Sequence, residues 1–183
     1  MDLLPLATVD FLDRVSAVPD DGWDRGTLCG ISVREVVDHV VAGNLFAVRL
    51  LGGASAAEAT AGLGEGHLGD DPVAAVRATG EDQLKAFQEA DRSAVLHHPS
   101  RDIDYDTFVR FRLGELVVHG WDLSVGAGLD TKLHLLLVEG LWELVEPHLD
   151  EMRAMGAFGA GASGREYASL QDKLLDAYGR VPA

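Results

Sequence analysis

The stretch Arg112-Leu-Gly-Glu-Leu-Val-Val-His-Gly-Trp-Asp-Leu123 places a glutamate and a histidine, Glu115 and His119, four residues apart. On an α-helix this spacing puts both side chains on one face, one turn apart. A carboxylate on an apolar helix face is costly unless it is paired or bound to a cation. The stretch therefore predicts a helix that offers two ligands to one metal ion. The apolar side chains expected on the same face are Phe108, Phe111 and Val118.

A second helix, expected over residues 32–51, carries a candidate third ligand, His39. Ser32 and Glu35 have the spacing of a capping box, which predicts where this helix begins. His39 stands at the edge of the helix's apolar stripe, so we expect its imidazole to point into a bundle and to meet the glutamate and histidine of the first stretch. The stripe consists of Val33, Val36, Val37, Val40, Val41 and Ala47.

Six helical segments account for most of the chain, with little of the alternation typical of strands. The expected helices cover residues 3–18, 32–51, 71–90, 106–127, 130–148 and 169–178. The Ala- and Gly-rich stretches 52–69 and 156–164 are expected to be loops. Four long amphipathic helices predict an all-α helix bundle. The long loops on either side of the third helix are expected to cover a site.

Length, charge and cysteine content exclude several classes of protein. A chain of 183 residues fits one domain with a sizeable core. Its 15 basic and 30 acidic residues give a net charge of -15, which disfavours nucleic acid and anionic membranes as partners. Cys29 is the single cysteine, so no internal disulfide forms, and neither a signal peptide nor a membrane-spanning run is apparent. We expect a cytoplasmic protein.

Three segments resemble one family. The segment Cys29-Gly-Ile-Ser-Val-Arg-Glu-Val-Val-Asp-His39-Val-Val-Ala-Gly-Asn44 is similar to the first signature of the mycothiol-dependent maleylpyruvate isomerase group, within the DinB-like superfamily of metal-binding bundles. Residues 115–123 resemble its second signature, and residues 170–180 resemble the terminal helix of many members. The resemblance implies a DinB-like four-helix bundle with a short C-terminal helix, residues 1–183 forming one domain.

The resemblance also implies a ligand set and a chemistry. By likeness to the family, His39, Glu115 and His119 bind a divalent metal. Two imidazoles and one carboxylate leave coordination positions open, which is typical of catalytic zinc, although nickel or iron accepts the same ligands. Members of the family use such a metal to bind a low-molecular-weight thiol as its thiolate. The chain departs from many members at Ile31, where they have Trp, and this affects the expected substrate pocket.

The leading hypothesis is a metal-dependent transferase or isomerase that uses a thiol such as mycothiol as co-substrate on a small electrophilic metabolite. One alternative is a metal-dependent hydrolase or lyase that needs no thiol. Another is a bundle that binds metal or a small ligand without turnover. The pattern leaves the substrate open, and it leaves open whether the protein is a monomer or a homodimer.

Four further residues are candidates for supporting the site. Asp122, three residues after His119, is expected to accept the second imidazole N–H and orient the ring. Arg112, one turn before Glu115, is a candidate for binding an anionic part of a substrate. Gly43 and Asn44 follow His39 by one turn, where they are expected to leave room near the metal and to offer an amide.

Three other features of the sequence bear on the site or the core. Cys29 precedes a helix cap in a segment without an obvious base, so packing or turn structure is its default role and catalysis the alternative. The run His97-His98-Pro99 precedes the ligand-bearing helix and is a candidate for the mouth of the site. Trp121 and Trp142 are expected in the core.

Overall fold

The computed structural model describes residues 3–64, 66–155, 166 and 169–181. Over these ranges it contains eight α-helices and one short hairpin. The helices are α1 (Leu4–Ser16), α2 (Val33–Leu51), α3 (Ala56–Thr60), α4 (Pro72–Glu89), α5 (Tyr105–Ala127), α6 (Leu135–Val145), α7 (Leu149–Met155) and α8 (Leu170–Ala177). The strands are β1 (Leu96–His98) and β2 (Arg101–Ile103), which pair antiparallel with Leu96 opposite Ile103. The predicted all-α class is confirmed.

Helix α5 lies at the centre of the molecule. It packs against α1 and α2 on one side and against α6 on the other, while α4 packs against α1 and α2. The Asp104 side chain caps its first turn by accepting from the Thr107 amide, and Gly128 ends it in a left-handed conformation with φ of 73°. Helices α1, α2, α4 and α5 thus form a four-helix bundle, and α6 packs against both α5 and α8.

Helix α2 forms as the sequence predicts. The Ser32 side chain accepts a hydrogen bond from the Glu35 amide, and the Glu35 carboxylate accepts one from the Ser32 amide. The six side chains of the predicted apolar stripe are all fully buried. Trp121 and Trp142 are buried as well, as expected. Within the described part of the chain, no helix combines the length and the apolar character that crossing a membrane requires.

Both predicted connections contain short regular elements. The stretch 52–69, expected to be a loop, includes α3, whose first turn has its own capping box between Ser55 and Glu58. The connection from α4 to α5 contains the β1–β2 hairpin, which packs against α2. The capping box stabilises the first turn of α3. The helix is too short to show apolar periodicity, and for that reason the sequence pattern did not predict it.

The predicted helix over residues 130–148 begins later than expected, and its last three residues form a 3-10 turn. It was expected to begin at Asp130, but α6 begins at Leu135 because Arg14 hydrogen-bonds the carbonyl oxygens of Asp130 and Lys132. The His134 side chain caps α6 instead. After Val145 a single 3-10 turn leads into α7, which no pattern predicted. The expected loop 156–164 lies outside the described residues.

Candidate metal centre and its two cavities

His39 of α2 and Glu115 and His119 of α5 meet where the two helices pack together. His39 Nε2 lies 2.8 Å from Glu115 Oε2, and His119 Nε2 lies 3.4 Å from the same oxygen. The two imidazole rings are 5.0 Å apart and nearly perpendicular. One carboxylate oxygen thus faces both imidazoles, as expected, but the His39 side chain is 54 % exposed rather than pointing into the bundle.

The separations of these atoms suit a shared ion. Zinc binds imidazole nitrogen and carboxylate oxygen at about 2.0–2.2 Å, so two donors of one ion lie no more than about 4.2 Å apart. The 2.8 and 3.4 Å separations involving Glu115 satisfy that limit. The three donor atoms all lie within 4.8 Å of one another. The two pairs that include Glu115 therefore fit a divalent ion, and side-chain adjustment would bring all three donors within the limit.

A hydrogen-bond chain fixes the orientation of His119. Its Nδ1 lies 3.0 Å from Oδ2 of Asp122, which is completely buried. Arg180 Nε in turn donates to Asp122 Oδ1 over 3.1 Å. With Nδ1 bonded to the carboxylate, His119 presents Nε2 toward Glu115. The expected contact between Asp122 and His119 is present, whereas no pattern suggested that Arg180 would support it.

The electrostatics favour a cation beside Glu115. Burial raises the pKa of the Glu115 carboxyl, but hydrogen bonds from His119 and His39 outweigh burial and hold that pKa well below its ordinary value. Burial lowers the pKa of the His119 imidazole, but hydrogen bonds to two carboxylates and to the Cys29 thiol hold it well above the ordinary value. Positive charge at this imidazole is thus stabilised, whether a proton or a metal ion carries it.

Two cavities open on the His39–Glu115 pair. The large cavity, of about 420 Å³, has mainly apolar walls, formed by side chains such as Phe46, Leu63, Phe108, Phe111, Val145 and Met152. The small cavity, of about 330 Å³, is more polar and is lined by Cys29, Ile31, Val118, His119 and Arg180 among others. His39 and Glu115 line both. The donor atoms therefore lie where two separate spaces meet.

Arg112 lines the large cavity, but the structure corrects the roles expected for its neighbours. The Asn44 amide does not face the donor set: its oxygen accepts from Arg112 Nη2 over 2.9 Å, and its nitrogen donates to Thr79. The room that Gly43 leaves is filled by the Arg112 guanidinium, since a Cβ at Gly43 would lie 2.3 Å from Nη1. Gly43 and Asn44 thus position a buried arginine.

Cys29 lies at the site, although its default interpretation was a turn residue. Its Sγ is within 4.8 Å of donor atoms of both His119 and Asp122. Burial raises the pKa of the Cys29 thiol, but hydrogen bonds from His119 and Thr27 outweigh it and lower the pKa. The base that seemed missing near Cys29 comes from α5, about 90 residues later in the chain, so local sequence gave no signal for it.

The two adjacent histidines before α5 diverge, as their position in an extended strand requires. His98 lines the large cavity together with Pro99. His97 is exposed and bonds Asp102 through Nδ1 over 2.8 Å. The suggestion that this run borders the site therefore holds for His98 and Pro99 only.

The comparison with known families agrees with this geometry. The family model described as the mycothiol maleylpyruvate isomerase N-terminal domain matches residues 4–124. The chain belongs to this family. The match includes the helices that carry His39, Glu115 and His119, and it confirms the family that the two signatures suggested. None of the curated proteins and none of the solved structures compared with the sequence matches it.

Proposed function

We propose that this protein is a divalent-metal-dependent enzyme in which a low-molecular-weight thiol of the mycothiol type attacks a small electrophilic metabolite, in a transfer or an isomerisation. The observation that carries the proposal is the position of one carboxylate and two imidazoles where two cavities meet. Membership in a mycothiol-linked family supports the thiol. Zinc is the proposed ion, and nickel or iron fits the same donors.

In this proposal His39, Glu115 and His119 hold the ion. Asp122 keeps the His119 ring in the orientation that presents Nε2, and Arg180 neutralises the buried Asp122 charge. A bound divalent ion supplies the Lewis acidity that lowers the pKa of a thiol to give thiolate near neutral pH. Three protein ligands would leave coordination positions for a reactant, as a catalytic site requires.

The two cavities provide separate spaces for two reactants. We assign the thiol to the small cavity, where Cys29 and Arg180 supply polar contacts. We assign the electrophilic acceptor to the large cavity, whose walls exclude water from most of an apolar compound. Both spaces border the His39–Glu115 pair, so two bound reactants are held near each other, and such proximity accelerates reactions between them.

The test is turnover that depends on both metal and thiol. Zinc-loaded protein, metal-free protein and a His119→Ala variant are incubated with and without mycothiol and with a panel of electrophiles such as 1-chloro-2,4-dinitrobenzene. Loss of free thiol reports a transfer, and loss of the electrophile also reports an isomerisation, which regenerates the thiol. His97→Ala is the matched control, because His97 is exposed and lies outside both cavities.

We expect turnover by the zinc-loaded wild type and His97→Ala, and none above background by the metal-free protein or His119→Ala. Metal-dependent turnover of an acceptor without any thiol would contradict the proposal and favour a hydrolase or lyase. Metal binding without turnover across the panel would contradict it as well, and would favour a ligand-binding bundle.

A further inference from the structure

Two buried arginines lie in the wall of the large cavity. Arg110 is 7 % exposed and Arg112 4 % exposed, and both line the cavity. Arg112 donates to neutral acceptors, Gln83 Oε1 at 2.7 Å and Asn44 Oδ1 at 2.9 Å. Within residues 3–64, 66–155, 166 and 169–181, neither guanidinium has a carboxylate at salt-bridge distance. Buried charges without a charged partner are costly, and the cost falls when a counter-ion binds.

Arg110 in particular has unused donors. Its guanidinium lies over the Phe111 ring, 5.6 Å from the ring centre, and no acceptor in the described part of the chain hydrogen-bonds it. The carboxylates that sense its charge have other partners: Asp104 caps α5, while Glu151 pairs with Arg101 and His148. Arg110 thus lines the cavity with no hydrogen-bond acceptor among the described residues, and a guanidinium binds carboxylate with particular preference.

An aromatic cluster forms the wall of the large cavity beside Arg112. The His98 ring lies 5.5 Å from that of Phe46 and 5.6 Å from that of Phe111, both edge to face. Phe46 also meets Phe108 edge to face at 6.0 Å. Burial and nearby Arg101 lower the pKa of His98, so its ring is neutral at pH 7 and adds no charge to this wall. Such a cluster favours a flat apolar ligand over a small polar one.

We infer that the large cavity binds an aromatic, or similarly flat and apolar, compound that carries one carboxylate, with Arg110, which lines the cavity, pairing the carboxylate and the aromatic cluster holding the ring. This inference rests on the proposed function only in naming that compound as the electrophilic acceptor. The cavity, of about 420 Å³, also borders His39 and Glu115. Arg110 is thus a specificity-determining residue that no motif identified.

The experiment compares two matched probes, 2-naphthoate and 2-naphthamide, which share ring and shape and differ in charge. Binding to the full-length protein is measured by titration calorimetry in the zinc-loaded form and again after chelation, because a carboxylate can also bind zinc. We expect naphthoate to bind at least tenfold more tightly than naphthamide to both the zinc-loaded and the chelated protein. Acetate, which lacks the ring, is expected to bind to neither form of the protein.

The same comparison is made with Arg110→Gln, with Arg110→Lys, and with Arg77→Gln, which removes an exposed arginine of α4 as a control. We expect the preference for naphthoate to vanish in Arg110→Gln, to survive in part in Arg110→Lys, and to be unchanged in Arg77→Gln. Circular dichroism verifies that each variant is folded. If Arg110→Gln does not fold, the wild-type comparison of the two naphthalenes still decides whether the cavity selects a carboxylate.

Equal binding of the two naphthalenes, or no binding of either, would overturn the inference. A preference that persists in Arg110→Gln, or that appears only with zinc bound, would overturn it too, since the carboxylate would then be held elsewhere. Because the chelated protein is measured, a failure of the metal proposal leaves this result intact, and the two failures are distinguishable.

Discussion

The two histidines that face Glu115 are held in contrasting ways. The His119 side chain is 14 % exposed, and its Nδ1 is bonded to a buried aspartate that an arginine supports. The His39 side chain is 54 % exposed, and its Nε2 lies 2.8 Å from Glu115 Oε2. One candidate ligand is therefore fixed before an ion arrives, while the other is open to solvent and free to adjust. If the three residues bind an ion, we expect α5 to provide the more rigid part of the site and α2 the more adjustable part.

Glu115 faces both histidines, so removing its carboxylate affects the whole candidate site, and we expect this change to have the largest effect. Glu115→Gln should weaken zinc binding by more than about 100-fold. Loss of a residue that only supports a metal ligand already lowers metal affinity by about 10- to 100-fold, and loss of a ligand itself should lower it further. Competition with a chromophoric chelator measures the affinity. Glu143→Gln, on the exposed face of α6, is the control and should bind zinc like wild type. Equal affinity in Glu115→Gln would remove Glu115 from the site.

The contrast between the histidines is tested directly by His119→Ala and His39→Ala. We expect His119→Ala to weaken zinc binding about tenfold more than His39→Ala, because a preoriented ligand loses less freedom on binding, and because water readily reaches the position that His39 leaves. The same chelator competition gives both values. If His39→Ala weakens zinc binding more than His119→Ala does, the more important histidine lies on α2, which contradicts the comparison.

Asp122→Asn sharpens the comparison by loosening the fixed histidine without removing it. Asparagine still accepts from His119 Nδ1 but no longer offers a full charge to the imidazole or to Arg180. We expect zinc affinity to fall about 10- to 100-fold. Asp82→Asn, exposed on α4, provides the control. Unchanged affinity in Asp122→Asn would show that the orientation of His119 does not depend on this contact.

The smallest effect is expected on the α2 side, where Gly43 packs against Arg112. Gly43→Ala forces the guanidinium away from Gln83 and Asn44, because the new Cβ would lie 2.3 Å from Arg112 Nη1. We expect a loss of about 1–3 kcal/mol in the free energy of unfolding, measured with urea. Gly26→Ala meets nothing within 4 Å and should change that value by less than about 0.5 kcal/mol. Equal stability of the two variants would contradict the packing described.

The two histidines also differ in how far sequence could predict them. The spacing of Glu115 and His119 predicts a shared helix face, since four residues make about one turn. His39 required more: its place beside the buried stripe of α2 suggested that it meets Glu115 and His119, and family resemblance added its role as a ligand. Local periodicity fixes which face a side chain occupies, but not which helix it meets.

The remainder of the site depends on tertiary contacts that no local pattern encodes. Arg180 reaches Asp122 from the residues after α8, 58 positions away, and Cys29 approaches His119 from the turn before α2. The start of α6 was mispredicted for the same reason, since the side chain that takes the carbonyls of residues 130 and 132 belongs to Arg14. These long-range hydrogen bonds prevent the helix from beginning at Asp130, where the local sequence resembles a helix start.

The central claim is that His39, Glu115 and His119 bind one ion, and metal content tests it most directly. The protein is purified without a histidine tag or chelator, and its metals are counted by mass spectrometry, beside His119→Ala and the His97→Ala control. The account predicts about one equivalent of zinc or another divalent ion in wild type and His97→Ala, lost in His119→Ala. Wild-type protein that is metal-free and takes up no added zinc, nickel or iron would contradict it.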